Sequence, residues 1–206
     1  MEPAYVVVLP VKPPARGKSR LQGIPDERRR GLAEAFALDT AAACLGSPSV
    51  AAVLAVTDDA AFALRLATAG CATVPDGGAG LNGALRQAAA EAVRRWPGLQ
   101  PVALLADLPA LRTADLDAAL AALVPGGPSY VADADGTGTT LYTAPYDEFD
   151  PAFGADSAAA HRDAGALAVR GELASLRRDV DDLDDLRSAA AIGLGVETAR
   201  AADGLV

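Results

Sequence analysis

Residues Val8 to Leu21 read VLPVKPPARGKSRL, an apolar run that passes into a loop ending in Gly17-Lys18-Ser19. A Walker A loop follows GxxxxGK[ST], which would place its first glycine at position 12, where this chain has Lys12 followed by Pro13 and Pro14. The stretch is therefore a strand-end loop of another kind. Lys12 and Lys18 are the only lysines in a chain that otherwise writes its cations as arginine. Their shared loop calls for ammonium groups.

Outward from this loop, the sequence alternates. Tyr5 to Val11 is continuously apolar, as in a strand buried on both faces of a parallel sheet. Pro25-Asp26 opens a helix to about Leu45, stopped by Gly46 and Pro48. Val50 to Val56 reads as a strand, Asp59 to Ala69 as a helix and Ala72 to Val74 as a short strand. PDGGAGLNGAL then leads into a helix from Leu81 to Trp96, Val102 to Ala106 into a strand, and Thr113 caps a helix to about Val124. Such alternation predicts a mostly parallel sheet flanked by helices, a Rossmann-like α/β fold. After Pro125 the rhythm changes: strands at Tyr130 to Ala132 and Thr140 to Ala144 flank DADGTGT, which has hairpin chemistry. A strand-like Ala166 to Val169 and LRRDVDDLDDL, leading into the last helix, complete a sheet that is mixed in its second half. Neither a repeat nor a linker divides residues 1–206, so one domain is expected.

Composition narrows the functional classes. With 206 residues and an apolar share of 51%, the chain has material for a full core. No apolar run approaches the roughly 20 residues that span a bilayer, and no cationic segment precedes the first apolar run. A cytoplasmic protein without membrane association is expected. Cys44 and Cys71 lie in apolar settings without metal-like spacing and read as inert core thiols. A formal net charge of −9 argues against a nucleic-acid partner. Against this acidity Lys12, Arg16, Lys18, Arg20 and Arg28 to Arg30 form a basic region, which suggests a small anionic ligand; Arg28 to Arg30 also fit a solvated helix face.

In open parallel sheets ligands bind beyond the carboxyl ends of the strands. Asp107 closes the run VALLAD, and a carboxylate there is costly unless hydrogen-bonded or bound to a cation. Asp179 and Asp181 are two apart, so an extended backbone sends both to one side. The three aspartates make a candidate Mg²⁺ site, since Mg²⁺ completes its shell with water and substrate phosphates. Helix capping is the competing reading for Asp181 to Asp185. Gly77, Gly78, Gly80 and Gly83 let backbone approach a ligand, yet their spacing is not GxGxxG, which disfavours a dinucleotide dehydrogenase. Gly80 and Asn82 are the nucleotide candidates. DGTGTT and FGADS place hydroxyls beside flexible backbone, suited to a phosphate or carboxylate, with Asp156-Ser157 also readable as an N-cap. His161, the sole histidine, lacks triad partners and reads as structural or surface rather than catalytic.

In this order, VLPVKPPARGKSRL, GAGLNGAL, LLADLPAL, DGTGTTL, FGADSAAAH and RRDVDDLDDL resemble the nucleotidyltransferases of the nucleotide-diphospho-sugar transferase fold. The resemblance is closer to guanylyltransferases that activate a phosphorylated three-carbon acid in biosynthesis of the deazaflavin coenzyme F-420. It covers nearly the whole chain and departs at Gly17, where alanine is common. The resemblance implies metal binding at Asp107, Asp179 and Asp181, and phosphoenolpyruvate contacts at Thr139, Gly154 and Ser157. It also implies that Lys12 and Lys18 serve catalysis and the nucleotide by neutralising the triphosphate of GTP or the departing pyrophosphate. The implied reaction is GMP transfer from GTP to phosphoenolpyruvate. The alternatives are 2-phospho-L-lactate or 3-phosphoglycerate as acceptor, a sugar-nucleotide or molybdopterin transferase, and a nucleotide-binding regulatory module without turnover. A sensor would not need the three aspartates. Monomer and homodimer are both compatible with the sequence.

Overall fold

A computed structural model of the chain describes residues 4–11, 21, 23–77 and 80–206. Lys12 and Lys18 therefore lie outside the described residues, as do Gly17 and Gly78. The first strand, β1 (Tyr5–Pro10), places Val6, Val7, Val8 and Leu9 at 0% exposure, so both of its faces are covered. Burying each such side chain contributes about 1.5–3 kcal/mol. α1 (Asp26–Leu45) follows, with Asp26 and Glu27 suiting the positive end of its dipole. β2 (Val50–Val56) leads to α2 (Ala60–Thr68), whose N-cap Asp59 accepts the Phe62 N–H at 3.0 Å. Next come β3 (Ala72–Val74), α3 (Gly80–Arg95), β4 (Gln100–Leu104) and α4 (Thr113–Ala121). The second half contributes β5 (Ser129–Ala132), β6 (Thr139–Thr143), α5 (Ser157–Asp163), β7 (Leu167–Ala168), α6 (Ala174–Arg177), α7 (Leu183–Ile192) and α8 (Val196–Ala201).

Among the described residues seven strands form one sheet in the order β3-β2-β1-β4-β6-β5-β7. β1 pairs in parallel with β2 and β4, and β2 with β3. The chain thus leaves β1 in one direction and returns on its other side with β4, creating the switch point at which α/β sheets bind ligands. β6 pairs antiparallel with both β4 and β5, and β7 joins β5 in parallel. Reversing β6 has a geometric consequence: Leu104 faces Leu141, and the Leu105 N–H reaches the Thr140 carbonyl at 2.9 Å. The beginning of β6, at Thr139, therefore lies at the same edge as the end of β4.

Two apolar clusters cover the sheet. Val7, Leu9 and Val102 face Ala37, Phe62, Leu116 and Leu176, while Val6, Val8 and Ala103 face Leu85, Ala88, Ala89 and Phe153. A third cluster gathers Leu21, Leu32, Phe36, Val180 and Leu186 between α1 and α7. Cys44 and Cys71 are buried; burial pushes the Cys71 thiol up to about 11 and raises Cys44 further, with Cys71 adding to it. Both stay protonated at neutral pH, in keeping with inert core thiols. Among the described residues no helix is long and apolar enough to cross a membrane.

Several local expectations shift for tertiary reasons. β4 runs from Gln100 to Leu104 rather than from Val102 to Ala106, because pairing with β1 ends at Ala103 and the chain then turns toward Asp107. Thr113 begins α4 without capping it; its hydroxyl donates to the Ala43 carbonyl and ties α4 to α1. The terminal helix is two helices separated by Gly193-Leu194-Gly195. A Cβ on Gly195 would lie 2.2 Å from Asp39 Cγ, and that carboxylate accepts the N–H groups of Glu197 and Thr198 at 3.1 and 2.7 Å. Gly195→Ala is expected to displace Asp39 from α8 and lower Tm by about 3–8 °C in thermal unfolding, from a loss of 1–3 kcal/mol.

Candidate functional site

Asp107 stands half-buried just beyond β4. Its carbonyl accepts the Val180 N–H at 3.0 Å. Val180 is 0% exposed in the third cluster, with Asp179 and Asp181 half-buried on either side of it. The backbone bond thus brings residues 179–181 beside the end of β4, where Asp107 stands. Thr40 of α1 braces this corner from behind: its hydroxyl donates to the Phe36 carbonyl at 2.8 Å and accepts the Leu108 N–H at 3.2 Å, with the Ala106 carbonyl 3.3 Å away. Thr40 escaped the sequence reading, although a lone hydroxyl on the buried stripe of an alanine-rich helix is a usable signal.

The capping alternative resolves onto other residues. Asp182 accepts the Asp184 and Asp185 N–H groups, and Asp185 accepts those of Asp181 and Asp182, forming a reciprocal capping box at α7. Asp181 precedes the cap and donates its N–H to Asp185 at 3.1 Å. Among the described residues no three His, Cys, Asp or Glu side chains are already gathered as a metal cage. An all-carboxylate donor set nevertheless fits a hard cation such as Mg²⁺, which takes one or two carboxylates and fills its shell with water and phosphate oxygens.

The other half of the site surrounds the start of β6. Asp133 accepts the Thr137 and Gly138 N–H groups at 3.0 and 2.8 Å, folding DADGTGT into a compact turn. The Thr137 carbonyl in turn accepts the Ala158 N–H at 3.0 Å, docking this turn on α5. Thr139 and Ser157 are 2% and 1% exposed, whereas Gly154 is exposed with φ +145°, a conformation that favours glycine. Asp156 occupies the N-cap position in the left-handed region at φ +53° and makes no side-chain cap, contrary to the capping expectation for Asp156-Ser157. The structure thus brings Thr139, Gly154 and Ser157 to one region through the Thr137 and Thr139 contacts with α5.

Gly80 opens α3 and is exposed. Asn82, two residues later, is otherwise engaged: its Nδ2 donates to the Phe153 carbonyl at 2.9 Å and its Oδ1 accepts the Phe153 N–H at 2.8 Å. This amide, with the Arg86–Asp150 pair at 2.8 Å, ties the glycine-rich side of the site to the FGADS loop. His161 is buried rather than on the surface, at 1% exposure. Its Nδ1 lies 3.0 Å from Thr139 Oγ1 and its Nε2 accepts the Ala152 N–H at 2.9 Å. Burial holds its pKa down at about 4, opposed by the Ser157 carbonyl and the Asp150 carboxylate.

No family model matches the chain. It is 50% identical over 204 residues to a phosphoenolpyruvate guanylyltransferase of Salinispora arenicola, covering 97% of this chain and 94% of that protein. A phosphoenolpyruvate guanylyltransferase of Streptomyces coelicolor is also 50% identical, over 96% of this chain and 95% of its own. Among solved structures, a Desulfovibrio desulfuricans protein described as a nucleotide-diphospho-sugar transferase superposes with a TM-score of 0.73 at 19% identity, covering 100% of this chain and 97% of that one. Rv0371c of Mycobacterium tuberculosis, solved with manganese, superposes with a TM-score of 0.54 at 23% identity, over 92% of this chain and 98% of its own. At these identities the structural likeness is one of fold.

Thr40→Val would leave the Leu108 N–H buried without its acceptor; a loss of about 1–3 kcal/mol in denaturant unfolding is expected, with Thr40→Ser largely retaining stability. A pH dependence is also expected. The folded pKa of His161, about 4, lies below its ordinary 6.5, so the unfolded chain takes up the proton first as pH falls. The contribution is complete above about pH 6.5 and is lost toward pH 4, up to about 3 kcal/mol. Chemical denaturation across that window should show a shallower slope for His161→Gln than for the wild type.

Proposed function

The chain belongs to the phosphoenolpyruvate guanylyltransferase family, and from that membership we propose how its residues divide the work of transferring GMP from GTP to phosphoenolpyruvate. Residues 1–206 act as a single guanylyltransferase domain. The observation that carries the assignment of roles is the hydrogen bond from Val180 to the Asp107 carbonyl, which joins two distant aspartate segments at the switch point of the sheet. A phosphate oxygen of the acid attacks the α-phosphorus of GTP, forming the new O–P bond as the bond to the β-phosphate oxygen breaks and pyrophosphate leaves. The acceptor is already anionic at neutral pH, so the step requires no protein base or nucleophile.

The difficulty is repulsion between anions, and catalysis consists of positioning and charge compensation. Asp107, Asp179 and Asp181 would hold Mg²⁺, and the bound ion supplies positive charge at the phosphate oxygens. Lys12 and Lys18 neutralise the triphosphate and the departing pyrophosphate from the loop after β1. Gly80 allows the nucleotide to approach the start of α3, and Asn82 supports the same side through Phe153. Thr139, Gly154 and Ser157 receive the three-carbon acid beside β6. The products are enolpyruvyl-diphospho-guanosine and pyrophosphate, a step that fits deazaflavin coenzyme F-420 biosynthesis in the cytoplasm.

Pyrophosphate release from GTP and Mg²⁺ with phosphoenolpyruvate, 2-phospho-L-lactate or 3-phosphoglycerate tests the reading. Release with phosphoenolpyruvate and not the others is expected; selective release with another acid would replace the acceptor, and none at all would leave a regulatory nucleotide-binding module. Asp107→Asn is expected to lower kcat by at least about 1,000-fold while retaining the unfolding transition. A variant that remains active and Mg²⁺-dependent would sink the metal assignment.

A further inference from the structure

The sole histidine is the most enclosed titratable group near the acceptor residues, and the transfer reaction itself makes no use of it. His161 lies between the Tyr142 ring at 4.5 Å and 19° and the Tyr130 ring at 5.8 Å and 30°, with the edge of Phe153 at 5.5 Å and 79°. A phenylalanine would satisfy that apolar box. The two ring nitrogens, however, contact two separate segments. Ala152 can offer only a backbone N–H, so Nε2 must be the unprotonated acceptor of the bond at 2.9 Å. The neutral ring then carries its proton on Nδ1, and Thr139 Oγ1 at 3.0 Å meets it as acceptor. This leaves the Thr139 hydroxyl proton free to be donated away from the ring. Ala152 belongs to the loop that contains Gly154 and leads into Ser157 at the start of α5, and Thr139 is the first position of β6.

We propose that His161 is a positioning residue of the acceptor half-site, locked as the neutral Nδ1–H tautomer so that Thr139 and the Ala152–Ser157 loop hold one geometry for the phosphorylated acid. The inference rests on the phosphoenolpyruvate reading. His161 touches neither substrate nor metal; it acts through Thr139 and Ala152. A neutral tether also adds no charge to a region that receives an anion, whereas a protonated ring would turn two donors toward the Ala152 N–H and the threonine and break the Ala152 bond. Asn82 grips the next residue, Phe153, from α3, so the loop is held at two successive positions by different elements.

The test compares wild type, His161→Phe and His161→Asn in steady-state pyrophosphate release, varying phosphoenolpyruvate and GTP separately, with thermal unfolding as a folding control. His161→Phe keeps the aromatic packing and removes both polar tethers; His161→Asn restores a donor toward Thr139. The expected result is a rise of at least about 10-fold in KM for phosphoenolpyruvate in His161→Phe, a smaller rise in His161→Asn, and a KM for GTP within about 2-fold of wild type. A merely structural role would lower the active fraction, reducing kcat while leaving both KM values in place, and would overturn the proposal. Nitrogen-15 NMR of the single histidine in the wild type should show the Nδ1–H tautomer at neutral pH; the Nε2–H form would equally overturn it, even if both variants failed to fold. Wild type that is inactive with phosphoenolpyruvate would instead fail the underlying reading, whereas active wild type with unaltered His161 variants would fail this inference alone.

Discussion

The hydrogen bond between the Val180 N–H and the Asp107 carbonyl is the constraint on which the arrangement of this site depends. It closes the end of β4 against a segment more than seventy positions later in the chain. Backbone alone would not hold such a contact against solvent competition, since a single hydrogen bond has a small net worth in water. The apolar side chain of Val180 supplies the remainder by burial with Leu21, Phe36 and Leu186. Burying Val180 therefore holds the segment that carries Asp179 and Asp181 against the end of β4. Core packing thus sets where that segment runs.

The second organising feature is the reversal of β6. Had β6 joined β4 in parallel, its first residue would lie at the far edge of the sheet from Asp107. Antiparallel pairing brings Thr139 to the edge where β4 ends, and the Asp133 turn and α5 then assemble around it. In the proposed division, the parallel half of the sheet serves the nucleotide and the mixed half the acceptor. Asn82 and Arg86, both on α3, reach the loop of the mixed half and join the two. A reaction that unites two anions requires the halves to be kept in register, because its rate depends on alignment more than on any single reactive side chain.

Electrostatics follow the same division. The reaction needs no buried nucleophile, and the thiols of Cys44 and Cys71 are held protonated in the core. The imidazole of His161 is held neutral by its enclosure. The formal net charge of −9 makes the basic stretch of sequence from Lys12 to Arg20 a local contrast along the chain.

The amino-acid sequence by itself determined the alternation of strands and helices and the parallel half of the sheet. Continuous runs such as Val6 to Leu9 and Val50 to Val56, and the stop at Gly46, are local signals whose physics lies within a few residues. Tertiary structure alone decided that Asp182 rather than Asp181 caps α7, that Thr113 binds α1 instead of capping its own helix, and that Asn82 holds Phe153. It also brought the Ala152 N–H and the Thr139 hydroxyl to the two ring nitrogens of His161, contacts that no local pattern specifies. Hydrophobic periodicity is written along the chain, but a polar side chain takes its role from the donor or acceptor that folding brings to it from elsewhere.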